Sequence, residues 1–251
     1  MLVTFRQAWA FLTLLPGGSH PTSNHELGRS VPWFPVVGAI LGTFGGFLYW
    51  MLSGPLGSSL AATAAITAVA LTTGALHEDG LADTADALGG TNLERRLTIM
   101  KDSRVGTFGV LALILSVLGR IFALSSLDPR DGLFALMVTH ALSRAAAIAV
   151  MITSPTTSSS TGLGSDYSKY SPTKTSAVVV IFVGASAIAS GPAGAIALAA
   201  AAVCVTIVAV TAKRKFGTIT GDNLGAIEQA GEIAVLVSIV SLVTHHGWSW
   251  L

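Results

Sequence analysis

Charged residues are scarce in this chain of 251 residues, where they make up 11% of the composition. A soluble domain averages about 25%. Hydrophobic residues account for 51% of the chain, and the mean hydropathy is +0.69. This balance excludes an ordinary soluble domain and predicts an all-α, polytopic membrane protein.

Cysteine is almost absent as well, since Cys204 is the single one and lies within an apolar run. One thiol excludes an intrachain disulfide framework and argues against a metal–thiolate cluster. Neither sign of charge is in excess, with 14 Lys and Arg against 13 Asp and Glu. This balance says little about partners, because the distribution of charge matters more than its sum, and we expect no nucleic acid among them.

Long apolar runs are what the chain has in abundance. Seven of them, each about 16 to 23 residues long, could cross a bilayer about 30 Å thick. Met1–Pro16 precedes them and is predicted to be an uncleaved interfacial helix. Tight turns are expected at Gly54-Pro55, at Asp128–Asp131 and at Gly191-Pro192. The predicted spans are Trp33–Leu52, Leu56–Leu76, Gly106–Leu127, Gly132–Ile152, Thr175–Ser190, Pro192–Ala212 and Leu224–His246.

The fifth run is short and the seventh begins with polar residues, so the prediction is six to seven transmembrane helices in one domain, residues 1–251. If successive spans cross the membrane in alternating directions, nearly all basic residues outside the spans fall on one side of the membrane. Of the 14 Lys and Arg, Arg130 lies on one side, Arg120 and Arg144 lie within spans, and the remaining 11 lie on the other side. The positive-inside rule assigns the basic side to the cytoplasm.

The most informative motif runs from His77 to Asp86 and places three aspartates at positions i, i+4 and i+7. At about 100° per residue, Asp79, Asp83 and Asp86 share an arc of roughly 60° on one helix face. Carboxylates that close repel one another unless a cation lies between them, which predicts a Mg²⁺ site. A solvated helix start is the alternative, and it accounts for Glu78 and Asp79 but not for Asp86.

The loop that follows the aspartates supplies further candidates. Asp102 could join the metal site, and Lys101 and Arg104 could bind phosphate. His77 could be a metal ligand or a base.

A second polar motif, Gly217–Asn223, precedes Glu228 and Glu232. Asp222 could be a metal ligand or a helix N-cap. Glutamates that enter a span are usually functional, although an interfacial position is the alternative. Arg144, inside a span, could reach the membrane edge, bind phosphate or pair with a glutamate. Gly162–Tyr167 is interpreted as a flexible loop.

Together these motifs resemble the cobalamin synthase family, the adenosylcobinamide-GDP ribazoletransferases. The resemblance rests on His77–Asp86 and Ile99–Gly109, supported by Phe11–Pro16, Trp33–Gly38, Ala141–Arg144 and Thr220–Ala226 with Glu228 and Glu232. Two positions depart from the pattern, since Ala87 replaces an expected glycine and Leu14 an expected basic residue. Neither departure touches the carboxylates.

The resemblance implies a Mg²⁺-dependent enzyme of the bacterial inner membrane, with its active site on the cytoplasmic side. It would join adenosylcobinamide-GDP to α-ribazole or α-ribazole 5′-phosphate and release GMP. The implied catalytic residues are His77, Asp83 and Asp102, and the implied metal ligands are Asp79, Asp83, Asp86 and Asp222. The implied substrate-binding residues are Glu78, Lys101, Arg104, Arg144, Glu228 and Glu232.

Two other functions stay open from the residues alone. One is a Mg²⁺-dependent phosphotransferase of the CDP-alcohol type, and the other is a cation-coupled transporter. The Gly-rich span Gly38–Gly46 could pack helices closely, either within a subunit or in a homo-oligomer.

Overall fold

A computed structural model describes residues 1–154 and 172–247, and the regular structure in these residues is entirely helical. The predicted loop Gly162–Tyr167 lies outside the described residues. A short 3-10 turn, Val31–Trp33, joins the second helix to the third. The helices are α1 Leu2–Leu12, α2 Asn24–Ser30, α3 Phe34–Leu56, α4 Ser58–Thr72, α5 Leu76–Leu88, α6 Leu93–Met100, α7 Thr107–Ser125, α8 Pro129–Thr153, α9 Pro172–Phe216 and α10 Gly221–His246.

Five segments in the described residues, those containing α3, α7, α8, α9 and α10, are long and apolar enough to cross a membrane. A sixth is reached if α4 and α5 form one broken span. The all-α polytopic architecture is therefore confirmed. The N-terminal helix α1 has 11 residues, too few to span a bilayer.

Two of the predicted turns are wrong. The first turn falls at Gly57 rather than at Gly54-Pro55, because Pro55 continues α3 and Gly57 supplies the positive φ of 77°. The second, at Gly191-Pro192, lies inside the continuous helix α9. A proline removes one backbone donor, and an apolar transmembrane helix can continue through it.

The helix that carries the aspartates is not an extension of the span before it. The chain bends by 89° between α4 and α5, and the corner is made by Gly74 and Ala75, both with positive φ. The backbone N–H of Leu14 donates to the Thr72 carbonyl at 2.8 Å. After the bend, α5 packs against α7 and α10, and the segment after α1 is held at the corner by this hydrogen bond.

Glycines set the contact between α3 and α8, the largest helix–helix interface in the described structure. A Cβ at Gly46 would lie 2.6 Å from the Leu133 carbonyl oxygen, and a Cβ at Gly42 would overlap the Leu136 carbonyl. Gly38 meets His140 one turn further along. The expectation that this Gly-rich span packs helices closely is confirmed, and the contact is made within the chain.

We expect Gly42→Leu to destabilise the protein by about 1–3 kcal/mol, because the new side chain has no space against α8. Gly119→Ala is the matched control, since a Cβ there would meet no atom within 4 Å. Thermal unfolding in detergent measures both variants. An unchanged midpoint for Gly42→Leu would contradict the assigned interface.

Candidate active site

The predicted helix of the aspartate motif is confirmed as α5, and it packs against the start of α10 through two glycines. A Cβ at Gly80 would lie 2.8 Å from the Asp222 carbonyl oxygen, and one at Gly225 would lie 3.2 Å from the His77 carbonyl oxygen. Only residues without side chains allow the two backbones to approach so closely. This contact joins the two acidic motifs, which are about 140 residues apart in the sequence.

The start of α10 is fixed by a capping box. The Thr220 hydroxyl accepts from the Asn223 backbone N–H at 3.2 Å, and the Asn223 side chain accepts from the Thr220 N–H at 3.2 Å. Asn223 also donates to the Thr84 hydroxyl on α5 at 3.1 Å. Because Thr220 is the N-cap, the Asp222 carboxylate is not needed for capping.

The acidic side chains of α5 and α10 influence one another electrostatically. Burial, followed by the negative charges of Asp79, Asp222 and Asp86, raises the pKa of Asp83 to about 6. Like charges disfavour ionisation when no cation lies between them. Carboxylates are hard oxygen ligands of the kind that Mg²⁺ prefers, and the metal site stays a prediction.

Asp86 has a structural function that sequence reasoning did not assign to it. Its two carboxylate oxygens accept from the backbone N–H groups of Gly106 at 2.6 Å and Gly109 at 2.8 Å. These amides lie at the start of α7, where helix donors lack partners. A Cβ at Gly106 would lie 2.6 Å from Asp86 Oδ1. Asp86 therefore fastens α5 to α7, and its role as a metal ligand stays a prediction.

Behind α5 lies a buried network of charged side chains, which we call the ion-pair network. It comprises Glu78, Arg120, His140, Arg144, Glu228 and Glu232. Arg120 bridges two helices, because it donates to Glu232 at 2.6 Å and to Glu78 at 3.1 Å. Arg144 lies 2.7 Å from Glu228. The sequence left three roles open for Arg144: reaching the membrane edge, binding phosphate or pairing with a glutamate. The structure shows the pairing with a glutamate.

Polar neighbours complete the network. The Gln229 amide donates to Glu78 and to Glu228, both at 3.3 Å. Ser143 donates to Glu228 at 3.1 Å, and Ser116 donates to the Gln229 side-chain oxygen at 3.0 Å. The predicted substrate-binding residues Glu78, Glu228 and Glu232 thus have partners inside the protein.

Arg120, His140, Ser143 and Gln229 were not among the predicted site residues. The signal that could have found them is the presence of Arg120 and His140 within spans. An ionisable side chain in a span is costly unless it is paired, and Glu228 and Glu232 are the acids that enter the membrane nearby.

Two cavities meet at Asp79. The smaller, of about 240 Å³, lies between α5, α8, α10 and the start of α3, and His77, Arg144, Asp222 and Glu228 also line it. The larger, of about 710 Å³, lies beneath the segment Thr13–Gly18. Phe11 and Leu76, like Asp79, border both cavities. Asp79 is therefore the acidic residue that lines both of these cavities.

The predicted residues of the second half of the loop lie apart from these cavities. Lys101, Asp102 and Arg104 line neither of them. Arg104 Nη2 lies 2.6 Å from Asp102 Oδ2 at an exposed position. The hydrogen bonds from Arg104 lower the pKa of Asp102 to about 2. In this arrangement Asp102 is a charged partner of Arg104.

Among the described residues, the group whose ligand atoms are close enough to share a metal ion lies within the ion-pair network. His140, Glu228 and Glu232 have ligand atoms within 4.8 Å of one another. Arg120 and Arg144 already neutralise these glutamates. Asp79, Asp83 and Asp222 do not approach one another this closely in the described structure, so a cation among them stays a prediction.

The fold and the site together define a class. This is an integral membrane protein with carboxylates beside ligand-sized cavities, in a polar site at the ends of its spans. The chain belongs to the Cobalamin-5-phosphate synthase family, whose model matches residues 4–240. A relative named adenosylcobinamide-GDP ribazoletransferase from Bradyrhizobium diazoefficiens is 41% identical over 94% of this chain and 93% of its own length.

Further relatives carry the same name. The one from Sinorhizobium medicae is 37% identical over 90% of this chain and 92% of its own length. The one from Shewanella pealeana is 34% identical over 90% of this chain and 88% of its own length. No solved structure matches the chain. The family resemblance predicted from the motifs is confirmed.

We expect Arg120→Leu to destabilise the protein by about 3–5 kcal/mol, because Glu78 and Glu232 would be left buried without their partner. Arg130→Leu, at an exposed position in the first turn of α8, is the control. Thermal unfolding and denaturant titration in detergent measure both. Equal stability of the two variants would contradict the ion-pair network as a stabilising element.

Proposed function

We propose that this protein transfers the cobinamide phosphate of adenosylcobinamide-GDP to α-ribazole or α-ribazole 5′-phosphate. The products are adenosylcobalamin or its 5′-phosphate, and GMP. One observation of the geometry supports this most directly: two ligand cavities meet at Asp79, and Asp222 lines the smaller of them. A reaction that joins two substrates needs two adjoining spaces with the reactive groups between them.

In the chemical step, a ribose hydroxyl oxygen of α-ribazole attacks the cobinamide-side phosphorus of the diphosphate. The new P–O bond forms as the bond from that phosphorus to the bridging oxygen breaks, and GMP leaves with the bridging oxygen. The hydroxyl proton passes to a base. Catalysis of such a displacement is mostly positioning and charge stabilisation.

His77 and Asp83 are the candidates for this base. Burial and the neighbouring carboxylates raise the pKa of Asp83 to about 6 while no cation is bound, and a bound Mg²⁺ would lower it again, so this pKa does not choose between the two. Burial and the positive charge of Arg144 lower the pKa of His77 to about 3. His77 is thus neutral and weakly basic, which suits a hydrogen-bonding role in orienting the substrate.

We propose Mg²⁺ as the cofactor, held by Asp79, Asp83 and Asp222. Bound Mg²⁺ supplies positive charge that neutralises the diphosphate. The residues themselves orient the reacting groups, and α5 and α10 keep them in place through Gly80 and Gly225.

We propose the cytoplasmic face of a bacterial inner membrane as the location of the site. The basic residues near the aspartates support this, namely Arg95, Arg96 and Arg104 after α5 and the run Lys213–Lys215 at the end of α9. The contact of Arg96 with the Lys215 carbonyl, at 3.4 Å, agrees with it, because two basic loops assigned to one side lie together. A homo-oligomer is a separate prediction, and the glycines of α3 do not support it because α8 already covers them.

The family assignment favours this transferase over the two alternatives, a CDP-alcohol type phosphotransferase and a cation-coupled transporter. The direct test uses purified protein in liposomes with adenosylcobinamide-GDP, α-ribazole 5′-phosphate and Mg²⁺. GMP release with formation of a cobalamin supports the proposal. Folded protein that forms no product would refute it.

We expect Asp83→Asn to reduce turnover by at least about 100-fold, as loss of a general base commonly does. Asp128→Asn, in the exposed turn between α7 and α8, is the matched control and should leave turnover unchanged. Both variants should insert into the membrane equally. Full activity of Asp83→Asn would remove Asp83 from the site.

Metal binding should depend on pH near the raised pKa of Asp83. Below about pH 6 this carboxyl is protonated in the folded protein and competes with the cation. We expect the affinity for Mn²⁺, a paramagnetic probe in place of Mg²⁺, to rise between pH 5 and pH 7 and then to level off. Electron paramagnetic resonance measures free Mn²⁺. A flat profile across this range would contradict a role for Asp83 as ligand.

A further inference from the structure

The smaller cavity has an uneven chemical character that the proposed reaction does not by itself explain. Its polar end carries the acidic and basic groups of the site, and the rest of its surface is apolar. The apolar walls come from five elements, α1, the 3-10 turn, α3, α8 and α10. They are formed mainly by Phe11, Val31, Phe34, Ile148, Met151 and Leu224.

Two of these side chains are aromatic and stack on each other, which leaves the outer ring faces for a ligand. The rings of Phe11 and Phe34 are stacked, with centroids 5.5 Å apart and an interplanar angle of 12°. The cluster of Leu27, Val31, Ile148 and Met151 packs around them and includes Phe11 and Phe34 at its edge. A planar, apolar ligand is complementary to such walls, because it can stack on the aromatic face and bury its edges against the aliphatic side chains.

The chemical groups of the two proposed substrates can be compared with this cavity in size and polarity. A diphosphate is excluded by its charge, and a corrin ring is far larger than about 240 Å³. Guanine has several donors and acceptors along its edges, and burying them against Phe, Ile, Met and Leu side chains costs about 1–3 kcal/mol for each unpaired group. The base of ribazole, 5,6-dimethylbenzimidazole, has two methyl groups and no exocyclic donor.

We propose that the smaller cavity binds the dimethylbenzimidazole base of α-ribazole, with its ribose at the polar end beside Asp79. This inference rests on the proposed function and specifies where the nucleophilic substrate lies. The base inserts between the Phe11–Phe34 wall and α8. The attacking hydroxyl then lies next to the α5 aspartates, and the larger cavity on the other side of Asp79 is left for the diphosphate substrate.

Ala147 gives a sharp test, because it lines this cavity and is only partly buried. Ala147→Phe would fill the space that the base requires. Ala149→Phe is the matched control, since Ala149 is on the same helix, is also partly buried and lines neither cavity. Ala147→Val provides a smaller change for the case in which phenylalanine prevents folding.

Two measurements are made on the full-length protein in detergent micelles. Equilibrium dialysis with radiolabelled α-ribazole, without the second substrate, gives its Kd. Steady-state kinetics give the KM for each substrate. We expect Ala147→Phe to raise the Kd and KM for α-ribazole at least about tenfold, and Ala147→Val to raise them less. The KM for adenosylcobinamide-GDP should change less than about twofold, and Ala149→Phe should resemble wild type.

Competition identifies the part of the substrate that binds. Free 5,6-dimethylbenzimidazole should displace α-ribazole, whereas guanosine should not. Equal displacement by guanosine would overturn the proposal. A second result would also overturn it: the wild type retains a lipid that Ala147→Phe does not, and both bind α-ribazole equally. The cavity would then be a lipid site.

The outcomes separate this inference from the proposed function. If wild type turns over and Ala147→Phe binds α-ribazole as wild type does, the cavity assignment fails and the transferase stands. If wild type forms no product but binds α-ribazole in a manner that Ala147→Phe abolishes, the transferase fails and the cavity assignment stands. Absence of α-ribazole binding to wild type refutes the cavity assignment outright.

Discussion

The pairing of Arg120 and Arg144 with three buried glutamates is the constraint on which the rest of the site depends. A buried charge without its partner costs several kcal/mol, so the helices that carry these groups cannot slide or separate independently. Arg120 holds Glu78 of α5 and Glu232 of α10 at once. The helix α5 is short and rich in acids, and little apolar surface would dock it otherwise. The ion pair between Glu78 and Arg120 therefore fixes the position of α5. It also fixes the backbone of the next residue, Asp79.

Neighbouring residues on one helix thus serve different purposes. Successive side chains point about 100° apart, so Glu78 can face the network while Asp79 faces the cavities. Asp86, two turns further on, binds the amides at the start of α7. The same helix is therefore tied to α10 through the network and to α7 through a cap. An acid-rich helix held at both ends presents its central carboxylates in a fixed arrangement, and preorganisation of this kind is what phosphoryl transfer requires.

Sequence reasoning predicted that the aspartates lie on one helix and that the fold is polytopic, because residue spacing and hydropathy determine these locally. It failed at the turns, since Pro55 and Pro192 are tolerated within helices and local residue preference does not decide where an apolar helix ends. It also missed Asp86 as a cap, because that role depends on α7, twenty residues away. The buried partners of Arg120 could not be predicted either, since tertiary packing determines which acidic side chain pairs with which basic one.

The charge balance around the two cavities supports the proposal of a bound cation. Of the described side chains that line them, Arg144 alone is permanently cationic, and Glu228 already neutralises it. Arg104 is engaged by Asp102 at a position away from both cavities. Asp79 and Asp222 therefore present negative charge to any substrate that enters, and a diphosphate would be repelled from the place where it must react. The proposed Mg²⁺ would offset this repulsion, so binding of the anionic substrate would depend on metal occupancy.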